Sequence, residues 1–371
     1  MSENQRLLSR QIIESLRKGN VPVYGASRFY HCRPVVRRIA QEDLSFVKSG
    51  GYVAKYFCGK YGSGKTLTLT LIRDMAHDMQ FATSFVTLDP RTVTLNKLEA
   101  IYQSVFHNMS IRINGEIRES SEAVDTILYE WCKKFYGQRY SSQPAFPEAP
   151  GMTEILHTYA STPNLRTYVV EWLMGNAHVP FSVKQQFGVK GDIGRESCMN
   201  FLNAFCRILQ NINCAGLTIL FDEAESTMQL WTKIARDTAF DNIRNLDENR
   251  YKARHLYIAF GGTHEFFSDP ERGVPSFPAL NDRIAHHWKS IRRSYRSPIV
   301  MLDPPERQDY FLILKKVMGI YNEAYDSKIY ITDDMIHKNL TPMLDSSSTP
   351  REILRKFIAD LDQKAEQLSS S

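Results

Sequence analysis

The chain is short of cysteine, has no long apolar run and carries little surplus of either charge. Its six cysteines, Cys32, Cys58, Cys132, Cys198, Cys206 and Cys214, form no C-x-x-C pair. That scatter excludes a zinc ribbon or a disulfide framework and fits reduced thiols in a cytoplasm. No uninterrupted apolar stretch approaches the ~18 residues of a membrane span. The opening Met1-Ser-Glu-Asn-Gln-Arg6 leads into an amphipathic helix with no apolar core of a leader, so no signal peptide, no membrane and a cytoplasmic location are expected. With 371 residues, 43% hydrophobic and 23% charged, the chain has the composition of an ordinary globular protein of one large domain or two.

The net charge of +5 is uneven in a way that its size conceals. Arg283, Lys289, Arg292, Arg293 and Arg296 lie in fourteen residues without an acid, so the rest of the chain sums to zero. In a helix, Lys289, Arg292, Arg293 and Arg296 share a face, with Trp288 and Tyr295 among them. A solvated basic face is the ordinary reading of such a run. The concentration of charge instead predicts a DNA-binding stripe with aromatics available for stacking.

What the sequence does contain is a complete phosphate-binding loop, Gly59-Lys-Tyr-Gly-Ser-Gly-Lys-Thr66, of the form G-x-x-x-x-G-K-[ST]. An apolar, β-rich segment (52–58) precedes it and a helical pattern (67–79) follows. Gly59, Gly62 and Gly64 allow backbone N–H groups to turn in around phosphate oxygens. Ser63 and Leu67 complete the nucleotide-binding set. Lys65 is placed to reach the β- and γ-phosphates of ATP and Thr66 to ligate Mg²⁺. A second apolar segment, Gly216 to Phe221, ends in Asp222-Glu223-Ala224-Glu225. Next to the phosphate loop, Asp222 would hold Mg²⁺ through water, and Glu223 would orient and deprotonate the attacking water. Glu225 reads as the acid that caps the following helix.

Strands and helices alternate around these motifs, which predicts an α/β parallel sheet. The expected organisation is an N-terminal helical linker (1–50), a phosphate-loop core (51–300) and a C-terminal helical lid (301–371). A mainly helical insertion interrupts the core at about 111–194. Gly188, Gly191 and Gly194 lack a clean preceding strand and read as a turn before a helix. Residues 268–282 read as loop, 297–305 as a proline-marked boundary, and Thr349-Pro350 as a helix start with Thr at the cap and Pro at N1.

Several segments together resemble the BREX-system ATP-binding proteins, the BrxD-like family of phosphate-loop ATPases. They are Arg10-Gln-Ile-Ile-Glu-Ser-Leu-Arg-Lys-Gly-Asn-Val-Pro22, the phosphate loop, Leu98-Glu-Ala-Ile-Tyr102, Phe221-Asp-Glu-Ala-Glu225, Gly261-Gly-Thr263 and Thr349-Pro-Arg-Glu-Ile-Leu354. The resemblance implies an AAA+-type fold related to origin-recognition ATPases and a role in prokaryotic antiphage defence. It also implies action on DNA with helicase-type partners, in a homo-oligomer. By it, Thr263 at a strand tip senses the γ-phosphate, Arg351 contacts nucleotide from the lid, and Arg283 is placed as an arginine finger toward a neighbour's ATP. A turn threonine and a surface helix arginine are the plainer readings of Thr263 and Arg351. If relatives carry a C-terminal winged helix, it is missing or reduced here. An ATP-hydrolysing protein acting on DNA is therefore expected. The alternative is a nucleotide-dependent switch or scaffold that signals to a helicase or nuclease with little turnover.

Overall fold

Residues that are apolar and β-branched over six or seven positions, flanked by glycine or polar turns, form the strands at the centre of the molecule. The computed structural model describes residues 3–30, 33–136, 144–176, 178–189, 191–288, 296–303, 305–345 and 349–369. Its strands are β1 (Tyr52–Cys58), β2 (Ala82–Thr87), β3 (Met109–Ile113), β4 (Glu116–Glu119), β5 (Leu217–Asp222), β6 (Leu256–Gly262) and β7 (Ile299–Met301). They make one seven-stranded sheet in the order β4-β3-β2-β5-β6-β1-β7. The five strands from β2 to β7 are parallel, and β3 and β4 continue the β2 edge antiparallel. Every residue of β5 and β6 is buried, as central strands covered on both faces must be.

Helices cover both faces. On one, Leu69, Ile72 and Ala76 of the helix Lys65–Asp78 pack with Phe57, Leu220 and Tyr257 of the sheet. Val36 and Leu44 of the helix Pro34–Lys48 join the same cluster. On the other face, Val86, Phe221 and Phe260 meet Leu98, Phe106 and Phe205 of the helices Leu98–His107 and Cys198–Asn211. The segment expected as a helical insertion does carry the helices Ser120–Phe135, Met152–Ser161, Arg166–Leu173 and Phe181–Gln186. It opens differently, with the β3–β4 hairpin. Asn114 (φ 53°) and Gly115 (φ 84°) supply its two-residue turn, the positive-φ pair that such hairpins need.

A second core lies at the C-terminal side. Ile313, Val317 and Tyr321 of the helix Arg307–Tyr325 pack with Ile336 of Asp333–Asp345 and Ile358 and Leu361 of Pro350–Ser369. Ile12, Ile13 and Leu16 of the first helix, Glu3–Arg17, complete it. Arg17 adds a two-pronged pair to Asp362, Nε to Oδ2 at 3.0 Å and Nη2 to Oδ1 at 2.8 Å. The N-terminal segment is thus divided, its first helix in the lid core and its second against the sheet.

Two local expectations change. Residues 297–305 include a strand, because Ile299–Met301 pairs with Tyr56–Cys58 at the sheet edge. Residues 268–282 are not all loop, because Pro278 starts the helix Pro278–Trp288, a position where the missing N–H costs nothing. The Asp222 strand lies one strand away from the phosphate-loop strand, with β6 between them, and still brings Asp222 next to the phosphate loop as expected. Lys289, Arg292 and Arg293 lie outside the described residues. Among the described residues, no helix is long and apolar enough to cross a membrane.

Candidate nucleotide site

The sheet ends its parallel strands on one side, and there the phosphate loop joins β1 to its helix. Gly62 (φ 77°) and Gly64 (φ 88°) are both left-handed, which L side chains resist. Gly59 is held for a different reason: a Cβ there would lie 2.2 Å from Ser63 Oγ and 2.9 Å from the Leu302 carbonyl. The helix begins at Lys65 with Gly64 as its cap, so its positive end faces the loop. Lys65 is buried and its Nζ donates to the carbonyls of Gly59 (3.2 Å) and Lys60 (3.4 Å). Its ammonium therefore lies inside the curl of the loop.

Thr66 Oγ1 donates to Asp222 Oδ2 at 2.6 Å, across the gap between the helix start and the end of β5. The other carboxylate oxygen, Asp222 Oδ1, is buried without a hydrogen-bond partner. Burial pushes the Asp222 carboxyl up, and the Thr66 hydroxyl pulls it back. A buried carboxylate oxygen with nothing to accept is costly. A hydroxyl and a half-satisfied carboxylate beside a phosphate loop fit Mg²⁺, which takes few protein ligands and keeps water and phosphate oxygens for the rest. Glu223 follows at φ 60°, ψ 42°, a left-handed conformation that costs a glutamate about 1–2 kcal/mol. This strained residue lines the same cavity as the loop.

Glu225 is placed differently from its expected capping role. Its Oε2 accepts from the Thr263 N–H at 3.2 Å and its Oε1 lies 4.0 Å from Lys65 Nζ. Burial, with the nearby Glu223 charge adding to it, pushes the Glu225 carboxyl up to about 7. Thr263 stands at the tip of β6, beside β5, and is thereby tied through Glu225 to the phosphate-loop lysine. Sequence reasoning missed this link, since nothing in Asp-Glu-Ala-Glu separates a cap from a bridge.

A cavity of about 340 Å³ opens in front of the loop. Gly62, Gly64, Lys65, Thr66, Leu67 and Glu223 form one wall, and Arg351 faces them from the lid. Thr349 and Glu352 close a capping box, with Glu352 N–H to Thr349 Oγ1 at 3.3 Å and Thr349 N–H to Glu352 Oε2 at 2.7 Å. That start to the last helix brings Arg351 in its first turn to the loop, with Cζ 5.9 Å from the Tyr61 ring centre. Gly19, Asn20 and Val21 also line the cavity, a contribution that the reading of 1–50 as a helical linker did not announce. Arg33 was missed as well: its guanidinium donates to the Ser63 carbonyl at 2.7 Å and to the Asp303 carbonyl after β7. Arg283 is elsewhere, on the surface, where it pairs with Glu248 at 3.1 Å. Arg296 is exposed.

The family model of the BREX system ATP-binding protein BrxC/D matches residues 5–158 and 149–370. The chain belongs to the BrxC/D family. None of the curated proteins is similar enough to count as a match. In this BrxC/D-family chain the loop, the Thr66–Asp222 pair and the cavity in front of the loop lie together at one end of the sheet. The segment Arg10 to Pro22, one of those that carry the resemblance, also supplies Gly19, Asn20 and Val21 to this cavity.

Proposed function

We propose that the chain is an AAA+-type ATPase that hydrolyses MgATP and acts on DNA in BREX antiphage defence. The observation that carries this reading is the meeting, at one cavity, of the phosphate loop, the Thr66–Asp222 pair, Glu223 and Arg351. The parallel order β2-β5-β6-β1-β7, with a polar residue at the β6 tip, supports the AAA+ assignment. Thr66 and Asp222 would hold Mg²⁺, whose chemistry is to neutralise charge on the phosphate oxygens. Lys65 binds phosphate, Glu223 orients a water and accepts its proton, and Thr263 is positioned by Glu225. Arg351 brings positive charge from the lid, and the exposed Arg283 is available to a neighbouring copy in a homo-oligomer. Arg283, Lys289, Arg292, Arg293 and Arg296 supply a basic segment for DNA, and a helicase-type protein is the expected partner in the cytoplasm.

A switch with little turnover is favoured by one observation. Arg33 joins the phosphate loop to the chain leading into the lid, a connection that would pass on nucleotide occupancy without hydrolysis. ATP turnover with and without DNA separates the two readings. Steady hydrolysis that DNA changes supports the ATPase. Stoichiometric ATP binding without turnover selects the switch. In Lys65→Ala, loss of a charged hydrogen-bonding partner predicts ATP binding weaker by about 10- to 100-fold; unchanged affinity by calorimetry rejects the site for both.

A further inference from the structure

Beyond the nucleotide site, one surface element is built in a way that folding alone does not require. The short loop at 230–232 follows the turn Ala224–Gln229, which carries Glu225, and Trp231 in it is 97% exposed. Ile234, on the first turn of the next helix, is 80% exposed. A tryptophan is a large apolar body normally hidden, and this one is held out on a fixed base. Arg236 Nη1 donates to the carbonyls of Leu230 (2.8 Å) and Trp231 (3.4 Å). From the other side, Arg272 Nε reaches the Met228 carbonyl (2.7 Å) and its Nη2 the Leu230 carbonyl (3.2 Å). Thr232 caps the helix by accepting from the Ala235 N–H at 3.2 Å. An exposed aromatic on a pinned backbone loses little freedom when it is covered.

The chemistry around it selects what covers it. From Met228 to Arg236 the sequence has two cations and no acid, and Lys233 is exposed between Trp231 and Ile234. The hydrogen bonds of both clamping guanidiniums go to neutral carbonyls, so their charges remain on this face. On the facing turn Glu271 is an acid, and Asp269 is turned inward onto the N–H groups of Glu271 (2.8 Å) and Arg272 (2.9 Å). A flat indole beside cations fits an unpaired base followed by its phosphate, whereas a duplex keeps its base faces stacked away. We propose that Trp231, Lys233 and Ile234 form a contact for single-stranded nucleic acid, with a base stacked on Trp231 and a phosphate at Lys233. The proposal rests on the reading that the chain acts on DNA. It places a strand contact six residues beyond Glu225, so the same turn bears on both nucleotide and strand.

Tryptophan emission tests this directly, because the difference between wild type and Trp231→Phe separates Trp231 from Trp131, Trp172 and Trp288. A thymidine oligonucleotide of about twenty residues should quench that emission, and a matched duplex should do so far less. Trp231→Ala should weaken oligonucleotide binding about ten-fold or more, the scale of one lost base stack. Trp231→Phe should retain most of the affinity, and Lys233→Glu should weaken binding most at low salt. ATP binding should be unchanged in Trp231→Ala, which shows the variant folded; a defect in ATP binding or turnover with intact quenching would count against the ATPase reading alone. Equal oligonucleotide affinity in wild type, Trp231→Ala and Lys233→Glu overturns the proposal, as does no binding by wild type. If Trp231→Ala instead disperses an assembly and leaves oligonucleotide affinity alone, the face belongs to a second copy and the proposal fails.

Discussion

Glu225 Oε1 stands 4.0 Å from Lys65 Nζ, so a half-buried carboxyl shares the phosphate-loop ammonium before any phosphate arrives. Its other oxygen holds the Thr263 N–H, and the two contacts make one polar bridge from the loop to the tip of β6. A triphosphate entering this site brings negative charge toward Glu225, which favours its protonated form.

MgATP affinity should therefore depend on pH around Glu225. With its carboxyl raised to about 7, the group is largely neutral below that pH and charged above it. Binding to the charged form is the weaker, so affinity should fall several-fold from pH 6 to pH 8 at saturating Mg²⁺. Glu225→Gln keeps an acceptor for Thr263 and removes the titration. Calorimetry on both proteins reads the result, and an equal pH slope in the variant rejects the role given to Glu225.

Glu223→Gln should still bind ATP and hydrolyse it at least ~10²-fold more slowly, the scale of losing a general base. Comparing it with Glu225→Gln in single-turnover assays assigns the base between the two acids. Wild-type turnover in Glu223→Gln would leave its left-handed conformation without a catalytic reason.

Arg351→Ala should weaken MgATP binding by about ten-fold through loss of a charged contact, while the capping box of Thr349 and Glu352 keeps the helix start intact. The thermal midpoint without nucleotide should hardly move. A structure with an ATP analogue in which Arg351 points to solvent would refute the contact.

His77 makes stability depend on pH with a sign that can be worked out. Its ring is buried, with Nε2 2.9 Å from Thr83 Oγ1 and 3.1 Å from Ser110 Oγ, and burial pushes it down from 6.5 to about 3. The unfolded chain takes up a proton below about 6.5 that the folded one refuses. The contribution is fully present above that pH and is lost as pH falls toward 3. Between pH 7 and pH 5 this group should cost about 2 kcal/mol. Urea unfolding of wild type and His77→Asn at both pH values measures it, and an equal loss in the two proteins excludes His77 as the source.

How far the sequence discloses the fold depends on where each element's information resides. The segments at β1, β5 and β6 are long and apolar because both faces are buried, and they are legible for that reason. β7 has three residues between prolines and exists only because β1 offers it a partner. The hairpin signal Asn114-Gly115 is present in the sequence, but β3 and β4 alternate polar and apolar at a half-exposed edge, next to strongly helical pattern. The phosphate loop, Asp222 and Glu223 are local motifs and could be named at once. Glu225, Asn20, Val21 and Arg33 gain their places through contacts between distant segments, which no spacing records.

The lid core draws on both halves of the chain, since Arg17 meets Asp362 across 345 residues. During synthesis the first helix emerges with its apolar face of Ile12, Ile13 and Leu16 and must wait for partners that are made much later. The sheet can assemble domain-first from its own segments, whereas closure of the lid is a late step of high contact order. A growing chain therefore completes the cavity before the phosphate loop, which Gly19 to Val21 and Arg351 line from segments far apart in the sequence, only once translation has passed the helix Pro350–Ser369.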